Sequence, residues 1–104
     1  MTRGELAAWL EARQPAPPAA LLGRLRDTCT NADADLPDHL AAHGRTLLQR
    51  VVAPAADGAG RSLALDLLAA DAFVTYAFEA QAERDVGGLA GLADRVTRPT
   101  EGNS

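Results

Sequence analysis

Three places in the chain have residue types and spacing that chemistry could use. His39 and His43 stand four residues apart, so on a helix both imidazoles leave one face and can reach one divalent metal such as zinc. A stable site needs at least a third ligand. The intervening residues, Leu40, Ala41 and Ala42, do not make the His-Glu-x-x-His pattern of a metalloprotease. The competing reading is two histidines at the border of a core.

Asp71 is the second. It sits in an apolar stretch and projects close to the direction of Leu67, with Thr75 one turn on and Glu79 beyond. That face is expected to be core, which makes Asp71 and Thr75 predicted buried polar residues. A buried carboxylate must be paired, hydrogen-bonded or protonated. Asp71 is therefore expected either to bind an arginine at the edge of the stripe or to line a pocket. The third is Cys29, the only cysteine. It falls on an apolar stripe with nothing basic at the right spacing, so it reads as a small hydrophobe rather than a reactive thiol.

Other chemistries lack their residues. The acidic run Asn31–Asp38 has neither the Asp-x-Asp-x-Asp-Gly order nor the distal glutamate of a calcium loop. The chain holds no lysine, so Gly58 and Gly60 belong to no phosphate-binding loop. The Glu-x-x-His motif of di-iron bundles is missing. No catalytic triad, Cys-His pair or carboxylate pair stands out, and a non-catalytic role is expected.

These residues must be positioned by helices. Ser62–Glu83 is the longest run without Gly or Pro and holds both phenylalanines and the only tyrosine. At roughly 100° per residue, Leu63, Leu67, Ala70, Val74 and Phe78 share one face. Leu65, Ala69, Ala72 and Tyr76 line the other side, with Phe73 and Ala80 at its edge. A helix apolar nearly all round is buried on both sides. The second side must be covered by other helices of the chain or by a second copy of it.

Thr2 and Glu5 fit a capping box that opens a short helix to about Arg13, with Leu6, Trp9 and Leu10 on one face. Trp9 is expected to close one end of the core. Pro15, Pro17 and Pro18 end that helix, and Pro18 suits the first position of the next, which runs to about Thr30. Leu21, Leu22, Leu25 and Cys29 form its stripe. Asp35 is a plausible cap for a third helix over about Leu36–Val52, burying Leu40, Gly44, Leu47, Leu48 and Val51. Residues 52–61 read as a flexible connector, with Ser62 capping the central helix. Gly87-Gly88 makes a hinge before a short last helix bearing Leu89, Leu92, Ala93 and Val96.

The expected fold is all-α, a compact bundle of four to five short helices around a central helix at about 62–83. One domain spans 1–97, and 98–104 form a disordered tail. Hydrophobic residues make up 47% of the 104, enough to exclude disorder throughout. A net charge of −4 disfavours nucleic acid, and Asp66, Asp71 and Glu79 make a membrane span costly. A single cysteine fits a reducing cytoplasm. The functional expectation is a protein–protein interaction or scaffold module, self-associating as a homodimer or docking another helical protein through Leu65, Ala69, Ala72 and Tyr76. The alternative is a bundle that binds a metal or small ligand with His39, His43 and Asp71.

Overall fold

The computed structural model describes residues 1–52 and 60–97. Thr2 opens α1 (Arg3–Glu11) with the full capping box: its hydroxyl accepts from Glu5 N–H at 3.1 Å, and Glu5 accepts from Thr2 N–H at 2.8 Å. Two turns later the proline run intervenes, and Pro18 takes the position before α2 (Ala19–Thr28) rather than its first residue. Cys29 ends α2 in an extended conformation. Asp35 O accepts from His39 N–H at 2.8 Å and so starts α3 (Leu36–Val52).

The central helix, α4, runs Gly60–Arg84. It begins two residues before the expected cap, Ser62. Asp85 then caps a 3-10 turn, Val86–Gly88, by accepting from Gly87 N–H at 3.1 Å, and α5 follows at Leu89–Thr97. Among the described residues there is no strand, and the all-α bundle is observed. The expected flexible connector and disordered tail fall largely or wholly on 53–59 and 98–104, outside the described residues.

Helices α3 and α4 make the most extensive contact, and they run antiparallel. Asp35 beside α3 meets Arg84 at the end of α4 (3.4 Å), while Gly44 lies against Ala70, Phe73 and Val74. A methyl group at Gly44 would stand 2.8 Å from Val74 Cγ2 and 3.2 Å from Ala70 O. The absence of a side chain there lets the two backbones close. The α1–α2 hairpin covers the neighbouring flank of α4, with Trp9 packed edge-on against Tyr76 (5.9 Å between ring centroids) and Arg24 bound to Asp66. α5 packs on both α3 and α4.

This arrangement corrects the orientation of α4. The buried residues Ala69, Ala70, Phe73, Ala77 and Ala80 point between the two apolar sides read from the sequence. The core therefore lies in a sector that both sides border, with α3 on one flank and α1–α2 on the other. The sector away from those helices is open, and it carries Leu67, Leu68, Asp71, Thr75 and Glu79, all exposed. Asp71 and Thr75 are thus surface residues, not buried polar ones. Leu48, expected in the core, is also exposed. It stands one turn beyond Gly44, next to the fully buried Leu47.

No helix among the described residues is long and apolar enough to cross a membrane.

Candidate functional site

The two histidines meet the sequence expectation in place but not in use. One turn apart on α3, their rings lie 4.7 Å apart in an edge-to-face arrangement, and His43 stands edge-to-face on Phe73 at 5.4 Å. Both are buried. Between them they grip Thr30, just after α2. Thr30 N–H donates to His43 Nε2 (3.1 Å), and His39 Nε2–H donates to Thr30 O (2.9 Å).

These partners fix the tautomers. His43 must carry its proton on Nδ1, and His39 on Nε2. The remaining His39 Nδ1 is buried without a partner. Burial pushes the pKa of both rings down, that of His43 to about 4, with the neighbouring His39 ring acting in the same direction. The Thr30 carbonyl opposes the shift at His39 by accepting its N–H. Both imidazoles are therefore neutral pins that hold the α2–α3 connection against α3.

The same connection is tied from its other side. Met1 N donates to Ala32 O (2.7 Å), Ala32 N–H donates to Met1 O (3.1 Å), and Arg3 N–H donates to Asn31 Oδ1 (2.7 Å). Cys29 lies buried beside this strap, its thiol donating to Leu25 O at 3.2 Å. Burial raises the thiol pKa against the opposing charge of Arg3, so the group is an inert packing residue.

A metal would have to displace the Thr30 peptide from both Nε2 atoms. Among the described residues no three His, Cys, Asp or Glu side chains come together as a metal-binding group. Asp71 does not join the histidines. They face the core through Phe73, whereas Asp71 stands on the open sector of α4.

There Asp71 does line a cleft, of about 290 Å³, between the α1–α2 turn and α4. Arg13 and Pro15 form one wall, and Ala72, Thr75, Tyr76 and Glu79 the other. Arg13 is pinned in place: its guanidinium lies 3.7 Å from the centre of the Trp9 ring, its Nε donates to Trp9 O (3.2 Å), and Nη1 pairs with Glu83 (3.7 Å). Burial, with Glu79 adding to it, raises the pKa of Tyr76, so the phenol stays protonated.

Sequence reasoning missed Thr30, Arg13, Leu48 and Leu68. Arg13 had a local signal, because it stands four residues after Trp9 and so shares its helix face. Thr30 had none, since its role comes entirely from side chains nine and thirteen residues away.

The interface expected on Leu65, Ala69, Ala72 and Tyr76 is largely occupied from within. Ala69 is fully buried, Leu65, Ala72 and Tyr76 are half-buried, and Trp9 covers Tyr76. Among the described residues, the large apolar side chains left in water on α3 and α4 are Leu48 (47% exposed), Leu67 (49%) and Leu68 (57%). The antiparallel register sets the Leu48 turn of α3 level with the Leu67 turn of α4. The chain matches no family model, no curated protein and no solved structure.

Proposed function

We propose that this protein is a small non-catalytic interaction module, cytoplasmic in setting, that self-associates through its central helix. The contact surface is the open edge of the α3–α4 pair, not the side of α4 that the α1–α2 hairpin covers. The observation that carries this reading is the exposure of Leu48, Leu67 and Leu68 on two adjoining helices.

A second copy is the partner that suits this patch. In a two-fold contact a residue near the axis meets its own counterpart, so the leucines must lie at the axis and Asp71, exposed in the same sector, off it. Two chains of net charge −4 repel at long range, so apolar burial must drive the contact.

The magnitude sets the expected strength. Completing the burial of a half-exposed leucine is worth about 1 kcal/mol, so six across a dimer supply about 6 kcal/mol. The cost of association offsets much of this, so any dimer is weak and reversible.

Sedimentation equilibrium tests this. The average mass should rise toward twice the monomer mass as the concentration passes from about 10 µM to about 1 mM. Leu67→Glu should hold it at the monomer value throughout. A monomeric mass for the unmodified chain across that range overturns the reading.

A further inference from the structure

The grip of the two histidines on Thr30 is not symmetrical. His39 gives an N–H to the Thr30 carbonyl, and a second proton on that ring would leave this bond intact. His43 gives a lone pair to the Thr30 N–H, and its Nδ1 already carries the proton. A second proton on His43 can go only to Nε2. Two N–H groups would then face each other across 3.1 Å, and the bond would become a repulsion.

The surroundings offer a cation nothing in exchange. From α4, the apolar Phe73 stands edge-to-face on the His43 ring. On α3 the His39 ring is 4.7 Å away and disfavours a charge on His43. From the α1 end, the Met1 ammonium acts on His39 in the same direction, and Arg3 puts a second positive charge near Cys29. The Cys29 thiol of α2 stays protonated. Of the nearby carboxylates, Asp38 is bound by Arg95 of α5 and Asp35 is paired with Arg84 of α4. Meanwhile the α1–α2 hairpin is seated on α4 by contacts that His43 does not share: Trp9 on Tyr76, Arg24 on Asp66 and Arg13 on Glu83.

We propose that His43 is an acid-released latch: its protonation frees the α2–α3 connection around Thr30 from α3, while the α1–α2 hairpin stays on α4. The freed segment remains tied to α1 through Met1 with Ala32 and Arg3 with Asn31, so the opening is local. The open form takes up the proton that the closed form refuses. Opening is therefore suppressed above about pH 6.5 and grows as pH falls toward 4. The leucine patch takes no part, so this inference stands apart from self-association.

The test is amide hydrogen exchange by NMR on the full chain, with each rate divided by its intrinsic value at that pH. From about pH 7 to about pH 5 the protection of Thr30 N–H should fall about tenfold, after allowance for screening. Ala32, Phe73 and Ala77 should keep theirs. The 15N shifts of the His43 ring should show a bare Nε2 at neutral pH and a titration well below 6.5. His43→Gln, whose amide oxygen can still accept from Thr30, should abolish the fall. Constant protection at Thr30, a parallel loss at Phe73 and Ala77, a His43 ring that titrates as an ordinary histidine, or the same fall in His43→Gln each overturns the proposal. The first three are read on the parent chain, so the test holds even where the variant does not fold.

Discussion

On its inner side α4 places Ala69, Ala70, Ala77 and Ala80 around one large residue, Phe73, all of them buried. On its outer side the same helix places Leu67 and Leu68, about half exposed. Hydrophobicity alone would exchange the two sets. What separates them is how near the neighbours come: Gly44 brings α3 against the α4 backbone at Ala70, and a leucine in that sector would hold the helices apart. Small residues mark the inside of this bundle because it is closely packed. The outer leucines, about half exposed, are the surface that the proposed self-association would bury.

Phe73→Ala should break the inner side most severely. It removes the largest fully buried side chain and the ring on which His43 stands, at a cost of about 3–5 kcal/mol in urea unfolding. A loss below about 1 kcal/mol would mean that α4 is not the packing centre. Gly44→Val tests the close approach directly. The added carbons meet Val74 and the Ala70 carbonyl, and overpacking of this kind costs about 1–3 kcal/mol. A neutral result would show that α3 and α4 stand further apart.

The histidine strap sharpens the comparison through pH. The folded protein holds His43 at a pKa of about 4, against 6.5 for an unperturbed histidine. Between those values the unfolded chain binds the extra proton, so stability is whole above about pH 6.5 and falls as pH drops toward 4. After allowance for solvent screening the loss is on the order of 1–2 kcal/mol. His39, also shifted down, adds in the same sense. His43→Gln should flatten this part of the profile, measured as the difference in unfolding free energy between the variant and the parent at each pH. An unchanged slope would place the titration elsewhere.

The helices themselves were legible in the chain. Thr2 with Glu5, the three prolines and the apolar periodicity of α3 mark their elements because caps, breakers and period act within a few residues. The direction of the core within α4 was not legible. A helix apolar on nearly every side has no periodic minimum to point to water, so Phe73 and Leu67 score alike until the crossing helices are placed. The site was legible to the same limited degree. His39 and His43 could be read as neighbours on one helix face, but their partner, the peptide of Thr30, is backbone and leaves no trace in residue type. Asp71 was expected on the core face, bound to an arginine or lining a pocket, and it is exposed. Its exposure depended on which flank the α1–α2 hairpin would choose.

The smallest expected effect is the most informative about the outer side. Leu68 is the most exposed leucine on α4, and Asp71 and Thr75, one and two turns on, are themselves exposed. Leu68→Ser should therefore change monomer stability by no more than about 0.5 kcal/mol, measured by urea unfolding at low micromolar concentration, where any weak dimer is dissociated. At concentrations near the millimolar range the same substitution should lower the melting temperature relative to the parent, because the parent alone gains stability from association. A loss of 2 kcal/mol or so in the dilute protein would mean that Leu68 is covered within one chain. The outer side would then be a second inner side, and the contrast between the two sectors of α4 would disappear along with the case for a partner.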